Sequence, residues 1–513
     1  MNAAAHTLLP LRADAASSAV GAIERPLPAW LGACALIQGF LDAAECAALI
    51  AAAESRGFAG AGGDYPPSYR NNDRQVLDDP ALAQRLFERL REYAPAELTD
   101  ADGARWRLRS LNERLRLCRY RPGQRFNVHQ DGVHHRGPDL RSRLTFMIYL
   151  TDGDAFVGGD TLFYAHGPGR GGEADGAPLA RVRPRAGALI LFDHALWHAG
   201  EAVAAGVKHL LRSDLMYQRI DGHREPAQAA RADAPFAPGH DGYVWTLARL
   251  RDGRIASAGR DAQVRLWSGD GREQARLRGH AQSVLGLCEL PGARLATVSR
   301  DRGLRIWNLA DGRCLRSEVA HDSAALCLAR LGDGRLASGA ADGRISVWRD
   351  DGEPLHGWAA HAGWVWSLCA LGGSGLLSAS EDGELAWWDA QRGERIARLH
   401  CGVALRSVDA CTDTGDAWVA FAGVDGRVRI AHAADGGLRC ERDWPAHDAA
   451  VRRVRWFGDG RLASCGEDGR VRVWDRDGTL LHERRHDNFA TDALLLDDGR
   501  LLSCGYDRVL RTG

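Results

Sequence analysis

Three residues in the first half of the chain have the types and the spacing of metal ligands. His129 and Asp131 form a His-x-Asp triplet, and His198 follows after a further 66 residues. Alternate residues of a β-strand point to the same side of a sheet, so His129 and Asp131 can bind one ion together. Two imidazoles and one carboxylate on one face form a donor set that suits non-heme Fe(II) and leaves three coordination positions open. The spacing therefore predicts a metal centre with room for other ligands.

The only lysine in the sequence, Lys208, follows His198 by ten residues. Every other fixed cation is an arginine, so this ammonium group stands out beside the predicted metal centre. A cation in such a place is suited to anchor a dicarboxylic cosubstrate. Each residue taken singly has an ordinary structural role, but the order His-x-Asp, His, Lys favours a catalytic site.

Two assignments near this motif have alternatives. His194 competes with His198 as the third metal ligand, but it lies fourteen residues before Lys208 instead of ten, and we prefer His198. Arg212 is suited either to support the cosubstrate pocket or to pair with a nearby acid such as Asp214. We expect the pairing with an acid.

The elements that must position these residues are helices followed by strands. Asp42 and Glu45 form a capping box at the start of one helix, and Asp79-Pro80 opens a second. Short β-rich runs separated by turn residues then follow, at 115–120, 126–131, 144–151, 161–164, 188–192 and 207–217. This order indicates a β-sandwich or barrel with helical support.

The motifs in this region resemble, over roughly residues 30–220, the prolyl-4-hydroxylase-like family of 2-oxoglutarate- and Fe(II)-dependent dioxygenases. The resemblance rests on Arg119-Tyr120-Arg121-Pro122-Gly123, His129-x-Asp131, Thr145 to Leu150, Gly158-Gly159-Asp160-Thr161, Pro184 to Phe192, His198 and Lys208. It implies a double-stranded β-helix, or jelly roll, with N-terminal helices.

The same resemblance implies a role for each site residue. His129, Asp131 and His198 would hold Fe(II). Lys208 would bind the far carboxylate of 2-oxoglutarate with help from Thr161, and Tyr120 would also contact this cosubstrate. Ascorbate is a further cofactor that the family suggests.

The second half of the chain is built from repeats. Histidines recur at 240, 280, 321, 361, 400, 447 and 486, and most units then contain a Ser or Thr, an Asp and a Trp at fixed offsets. A period near 40 residues with these residues resembles the WD-repeat β-propeller. In that family the four side chains form a hydrogen-bonded chain inside each blade, so we assign them a structural role and no catalysis.

Two units depart from the repeat pattern. In the fifth, which begins at His400, Phe421 replaces the Ser and Ala431 replaces the Trp. The seventh stops at Gly513, before a fourth strand, so we expect residues around Ala232 to Pro238 to supply the closing strand.

The predicted fold of the whole chain is mainly β and has two domains, a jelly roll and a seven-bladed propeller. Its segments are a flexible N-terminus (1–25), the dioxygenase domain (26–220), a linker (221–238) and the propeller (239–513).

Composition narrows the function classes. The net charge of −1 gives no long-range attraction for nucleic acid or acidic membranes, and no apolar stretch approaches the roughly 18 residues that span a bilayer. Twelve scattered cysteines without a Cys-x-x-Cys pair favour a reducing compartment, and we expect a cytoplasmic protein.

The sequence thus predicts a dioxygenase that hydroxylates a C–H bond of a protein or peptide, with proline as one target, using Fe(II), 2-oxoglutarate and O2. The propeller would bind a protein partner. One alternative is a small-molecule or amino-acid hydroxylase with a localising propeller, and another is an inactive WD-repeat scaffold.

Overall fold

The computed structural model describes residues 23–28, 32–60, 70–100, 103–134, 136, 139–165, 176–221, 236–237, 239–413 and 416–513. These residues form two compact units, one ending at residue 221 and one beginning at residue 236. Most of the predicted flexible N-terminus and of the predicted linker lies outside the described residues.

The first unit contains two α-helices, a short 3-10 helix (Gly153–Ala155) and sixteen strands within the described residues. The helices are α1 (Ala43–Arg56) and α2 (Pro80–Leu90). The strands are β1 (Ile23–Glu24), β2 (Cys34–Ile37), β3 (Ala59–Gly60), β4 (Asp73–Asp78), β5 (Glu97–Thr99), β6 (Arg105–Leu111), β7 (Arg114–Tyr120), β8 (Phe126–His129), β9 (Leu140–Tyr149), β10 (Phe156–Gly158), β11 (Thr161–Tyr164), β12 (Ala180–Val182), β13 (Leu189–Asp193), β14 (Trp197–Gly200), β15 (Val203–Gly206) and β16 (Lys208–Arg219).

Both predicted helices are confirmed, together with their caps. The Asp42 side chain accepts a hydrogen bond from the Glu45 backbone N–H, and the Glu45 side chain accepts one from the Asp42 N–H. At the second helix, Asp79 is the N-cap and Pro80 is the first helical residue. In the described part of the chain, no helix is long and apolar enough to cross a membrane.

The strands of this unit form the sheets of a jelly roll. A large sheet has the order β1-β2-β13-β9-β16-β7-β4-β3, with β6 added to the far half of β16 and β5 paired with β6. A smaller sheet has the order β12-β11-β14-β8, and β10 pairs with β15. The mainly β fold predicted from the sequence is confirmed.

Alternation along the central strands divides the core into two layers. On β9, Phe146 and Ile148 belong to the layer that packs against the helices, whereas Met147 and Tyr149 belong to the layer inside the jelly roll. Helix α1 contributes Leu49 to the first layer. The period of two residues therefore fixes which side chains of β9 can reach the interior.

One predicted strand is shorter than expected. Strand β8 ends at His129, and Asp131 lies beyond it, where its backbone N–H donates to the His194 carbonyl at 3.1 Å. The expectation that His129 and Asp131 share a face of one strand is therefore wrong. A loop contact, not strand alternation, places Asp131.

In the second unit, seven antiparallel sheets follow one another along the described residues. Their strands are β17 (Val244–Arg249), β18 (Ile255–Gly259), β19 (Gln263–Trp267), β20 (Glu273–Arg278); β21 (Val284–Leu290), β22 (Arg294–Ser299), β23 (Gly303–Asn308), β24 (Cys314–Val319); β25 (Ala325–Arg330), β26 (Leu336–Ala340), β27 (Arg344–Trp348), β28 (Pro354–Ala359); β29 (Val365–Ala370), β30 (Gly375–Ser380), β31 (Glu384–Asp389), β32 (Glu394–His400); β33 (Leu405–Asp413), β34 (Asp416–Gly423), β35 (Arg427–Ala434), β36 (Gly437–Pro445); β37 (Val451–Trp456), β38 (Leu462–Gly466), β39 (Arg470–Trp474), β40 (Leu480–Arg485); β41 (Ala490–Leu495), β42 (Leu501–Gly505) and β43 (Leu510–Thr512).

The first strands of successive sheets pack against one another, and β41 of the last sheet packs against β17 of the first. This contact combines buried apolar side chains with hydrogen bonds. Thr246 Oγ1 and the Leu247 N–H donate to Asp492 Oδ2 at 3.2 and 2.9 Å, and Thr491 Oγ1 donates to the Val244 carbonyl at 2.6 Å. The sheets therefore close on themselves through their innermost strands, as in a propeller.

The described part of the predicted closing segment does not form a strand. Phe236 lies in a turn, is buried against Trp267, and donates its N–H to the Gly271 carbonyl at 2.6 Å. Among the described residues, the seventh sheet has three strands. Residues 232–235 and 238 of the predicted segment lie outside the described residues.

The predicted hydrogen-bonded chain is present in the regular sheets. In the fourth, the Trp388 indole N–H donates to Ser378 Oγ at 2.8 Å, and Ser378 Oγ lies 2.7 Å from His361 Nε2. His361 Nδ1 lies 2.9 Å from Asp382 Oδ2. Because every polar atom of this buried chain has a partner, it fixes the register of the strands.

In the fifth sheet, other residues occupy the positions of the hydrogen-bonded side chains. Cys401, not His400, occupies the histidine position, because its N–H donates to the Gly383 carbonyl as His361 does to that of Gly343. His400 is exposed on β32, so its assignment to the repeat position is wrong. Phe421 and Ala431 are fully buried, and apolar packing takes the place of the serine and tryptophan.

We expect Ser378→Ala to destabilise the propeller by about 1–3 kcal/mol, because it leaves the Trp388 N–H and His361 Nε2 buried without their shared partner. Urea unfolding followed by tryptophan fluorescence measures this loss. Ser346→Ala, at a half-buried position on β27, is the control. Equal urea midpoints for Ser378→Ala and Ser346→Ala would contradict a structural role of the hydrogen-bonded side chains.

Candidate active site

The structure brings the three predicted metal ligands together between two paired strands. His198 on β14 lies directly opposite His129 on β8 in the register of the smaller sheet. His129 Nε2 lies 3.6 Å from Asp131 Oδ1, and His198 Nε2 lies 3.5 Å from Asp131 Oδ2. One ligand atom from each residue falls within 4.8 Å of the others, which is close enough for all three to share one ion.

The other nitrogen of each imidazole is bound to the backbone. His129 Nδ1 lies 2.7 Å from the Asn127 carbonyl, and His198 Nδ1 lies 3.0 Å from the Leu196 carbonyl. A carbonyl oxygen only accepts, so each Nδ1 carries the hydrogen and each Nε2 keeps its lone pair toward Asp131. This is the tautomer that a metal ligand needs.

The carboxylate of Asp131 is held by a cation and a hydroxyl. Arg212 Nη2 donates to Oδ1 at 2.6 Å, and Thr145 Oγ1 donates to Oδ2 at 2.5 Å. Arg212 pairs with an acid, as expected, but this acid is Asp131. The Asp214 carboxylate, which was the example given, lies 3.2 Å from Arg116 instead. Arg212 is therefore directed toward the centre of the site.

Burial and charge set the protonation states of the three residues. Burial lowers the pKa of His129, and burial together with the neighbouring His129 lowers the pKa of His198 to about 3. Burial alone would raise the pKa of Asp131, but Arg212 and the two histidines hold it well below its usual value. Two neutral imidazoles and one carboxylate are the forms that bind a divalent cation.

Aromatic rings surround the two histidines. Phe126 stacks on His129 with 3.6 Å between ring centroids, and Phe192 meets His198 edge to face at 4.6 Å. These rings limit the rotation of the imidazoles and exclude water from their apolar sides. The ligands are thus held in place before any ion binds.

The predicted cosubstrate residues line the same cavity as the histidines. Tyr120, Thr161 and Lys208 belong to its walls, together with Met147, Leu210 and Arg212. Lys208 is only 2% exposed, and its Nζ lies 5.4 Å from the centre of the Tyr120 ring. Among the described residues this buried ammonium group makes no ion pair with a carboxylate, so it is suited to receive an anion.

Lys208 has one hydrogen-bond partner among the described residues. Its Nζ donates to the Gly159 carbonyl at 2.5 Å. Burial lowers the pKa of Lys208 to about 8, against an opposing effect of the nearby Asp160. The cation is therefore retained at neutral pH, but it titrates near the physiological range.

The turn that presents the Gly159 carbonyl requires glycine. Gly158 and Gly159 have φ angles of 72° and 73°, in the left-handed region. A Cβ on Gly158 would meet the Ala202 carbonyl oxygen at 2.3 Å. The Gly-Gly pair in the sequence motif is explained by this close approach.

Two residues on β9 were missed by the sequence analysis. Thr145 holds Asp131, and Tyr149 donates its hydroxyl hydrogen to Thr161 Oγ1 at 2.7 Å. Both lie at alternate positions with Met147, which lines the cavity. The period of two along β9 was the signal that could have found them.

The alternative third ligand lies outside the cluster. The His194 ring is buried, and its Nε2 lies 3.8 Å from Asp214 Oδ1. It is not among the three residues whose ligand atoms converge. The geometry favours His198.

A second group of possible ligands, His361, Asp382 and Glu384, is explained by the propeller. Both ring nitrogens of His361 are used by Asp382 and Ser378. Glu384 pairs with Arg395 and Arg398. This group needs no ion.

The residues of the first site fit Fe(II). Two imidazole nitrogens and one carboxylate form the donor set of the facial triad, and the remaining positions open toward a cavity that contains a cation. The convergence of the ligand atoms and the backbone bonds at both Nδ1 atoms are what an ion at this point requires.

Comparison with known families agrees with this chemistry. Residues 115–212 match the 2OG-Fe(II) oxygenase superfamily, a stretch that contains His129, Asp131, His198 and Lys208. Residues 236–268, 271–308, 312–349, 352–389 and 438–475 match the WD domain, G-beta repeat. The chain therefore combines a 2OG-Fe(II) oxygenase domain with WD repeats. The search of curated proteins gave no match.

Proposed function

We propose that this protein is an Fe(II)- and 2-oxoglutarate-dependent dioxygenase that hydroxylates a C–H bond of a protein or peptide, with proline as the first residue to test. The observation that carries the proposal is the convergence of His129, Asp131 and His198 in a cavity that also contains Lys208. When bound, Fe(II) and 2-oxoglutarate would allow O2 to be activated: one oxygen atom would enter succinate as CO2 is released, and the other would be inserted into the C–H bond of the substrate.

The roles that we propose for the protein residues are binding and orientation. His129, Asp131 and His198 hold the metal on one side and leave the cavity side open. Lys208 binds the far carboxylate of 2-oxoglutarate, with Thr161 and Tyr120 beside it. Phe126 and Phe192 keep water from the apolar side of the site.

The choice of a protein substrate is supported by the WD repeats, which in general serve protein interactions. A small-molecule or amino-acid substrate is the alternative, and it keeps the same metal chemistry. Mass spectrometry of proteins that bind the full chain, incubated with and without 2-oxoglutarate, separates the two. A gain of one oxygen atom on a bound protein that requires 2-oxoglutarate supports the proposal. Hydroxylation of free amino acids alone supports the alternative.

Succinate formation tests the reaction class. We expect the full-length protein, given Fe(II), 2-oxoglutarate and substrate, to release succinate, and His129→Ala to release none. Assays with and without ascorbate test whether that reductant is needed. No succinate from the unaltered protein across substrate pools would favour an inactive scaffold, and equal turnover by His129→Ala would contradict the metal assignment.

The cellular location stays a prediction. All twelve cysteines lie in described residues, and each is a free thiol. We propose a cytoplasmic location on the basis of this cysteine pattern. Imaging of a tagged full-length chain tests it, and a secreted protein would contradict it.

A further inference from the structure

Large apolar side chains recur at one end of the ring of sheets in the second unit. The first strand of each of the first four sheets carries such a residue at its second position, and these residues are Trp245, Leu285, Leu326 and Trp366. Leu326 is buried, whereas the other three are only half-buried. Apolar surface that stays partly exposed at a repeated position is typical of a docking site.

Three of these residues belong to one apolar cluster, which we call the apolar sector. It spans the second, third and fourth sheets and is separate from the cores between the sheets. Its two indole rings, those of Trp364 and Trp366, lie 5.1 Å apart. The members of the apolar sector are Leu285, Ala324, Leu326, Ala341, Trp364 and Trp366.

The turns between the second and third strands of each sheet lie at the same end of the ring. Val244, at the start of β17, pairs with Gly259, at the end of β18. In the first sheet this turn carries Arg260, which is exposed. Its Cζ lies 5.0 Å from the centre of the Tyr243 ring, so the guanidinium group is held beside an aromatic surface.

The charge of Arg260 is not neutralised by a neighbouring acid, in contrast to two other arginines at this end. Arg406 pairs with Glu381 at 2.8 Å, and Arg452 pairs with Glu467 at 2.6 Å. Arg260 forms no ion pair with any carboxylate in the part of the chain that the structure describes. A positive charge next to apolar surface is therefore available to an anion.

The aromatic rings at this end already hold cations. Arg406 Cζ lies 4.2 Å from the centre of the Trp366 ring, and Arg452 Cζ lies 5.9 Å from that of Trp245. A cationic ligand would have to compete with these guanidinium groups for the ring faces. The surface therefore fits a partner that combines negative charge with apolar side chains.

We propose that this end of the ring docks an acidic segment of a partner protein, with a carboxylate on Arg260 and bulky apolar side chains on the apolar sector. The first strands of the first and second sheets pack against each other, so the two contacts are neighbours. The inference rests on the proposed function only through the protein partner of the propeller. Docking itself needs neither Fe(II) nor 2-oxoglutarate.

Fluorescence anisotropy of the full-length protein with labelled peptide pools tests this docking. In the first pool Asp or Glu alternates with Leu or Phe, in the second Lys replaces the acids, and in the third Ser replaces the apolar residues. We expect the first pool to bind at least about tenfold more tightly than the other two and to weaken as salt increases. Equal binding of the first and second pools, or no binding of any pool, would overturn the proposal.

Two matched pairs of variants locate the contact. Arg260→Glu should weaken binding of the first pool about tenfold, whereas Arg272→Glu, the same change of charge at the opposite end of the first sheet, should leave it unchanged. Leu285→Ala should weaken it about threefold or more, because apolar area is lost from the contact. Its control is Leu315→Ala, on the exposed outer strand of the second sheet.

Thermal melting of the four variants controls for folding. Equal loss of affinity within either pair would place the contact elsewhere and overturn the proposal, as would a labelled single-stranded RNA that binds as tightly as the first pool. Succinate release from the unaltered protein is measured separately. Failure of docking with succinate still formed rejects this inference alone, and specific docking without succinate rejects the proposed reaction alone.

Discussion

Replacing His198 by alanine is expected to remove metal binding, whereas replacing His194 is expected to leave it nearly unchanged. The two histidines lie four residues apart and are both buried, so the substitutions are closely matched. Only His198 has its Nε2 next to Asp131, at 3.5 Å. Loss of a ligand should cost more than the tenfold to hundredfold typical of a supporting residue, so we expect Co(II) affinity to fall by more than about a hundredfold.

Titration with Co(II), and succinate release with Fe(II), measure this pair of variants. Thermal melting of both in the absence of metal controls for a general loss of folding. His194 has a backbone role, since its carbonyl accepts the Asp131 N–H, and that bond survives a side-chain substitution. Equal loss of affinity in both variants would show that the third ligand has been assigned wrongly.

Much of this site could be predicted from the sequence because its parts are ordered along the chain. The strand that carries His129 was predicted from the turn residues around it, and the single lysine drew attention to Lys208. Strand β14, which carries His198, was not among the predicted strands. The capped helices at Asp42 and Asp79 were equally local, because a cap is defined within four residues. Local signals of this type need no knowledge of the tertiary structure.

The predictions that were wrong concern residues whose positions depend on contacts between distant segments of the chain. Asp131 lies beyond its strand because it bonds to His194, 63 positions later. Arg212 takes Asp131 because Arg116, on the neighbouring strand, already occupies Asp214. Neither preference is visible until the strand register is known, since both carboxylates are compatible with an arginine at this position.

The fifth propeller sheet shows a second reason why a residue can be assigned wrongly from the sequence. A histidine at position 400 fits the repeat spacing, but Cys401 has the backbone contact of the repeat position. Residue 401 follows His361 by 40 positions and residue 400 by 39, so the spacing alone does not separate the two. Periodic spacing predicts that a unit exists, and the hydrogen bonds decide which residue occupies each position.

The affinity for 2-oxoglutarate is expected to fall as the pH rises above about 8, because the buried Lys208 then loses its proton. Burial lowers its pKa to about 8 in the cavity without a ligand. Below that pH the ammonium is present and affinity is constant. Above it, a bound diacid must first restore the proton, so the apparent dissociation constant increases about tenfold for each pH unit.

Calorimetric titration of the Co(II)-loaded protein with 2-oxoglutarate at pH 7 and pH 9 measures this effect, and we expect about tenfold weaker binding at pH 9. 2-Oxobutyrate controls for other titrations, since it has no far carboxylate to sense Lys208. Lys208→Arg should remove the pH dependence, because a guanidinium keeps its charge throughout this range. At pH 7, Lys208→Met should lose about 2 kcal/mol of binding free energy or more. Equal affinity of the unaltered protein at both pH values would mean that another cation binds the far carboxylate.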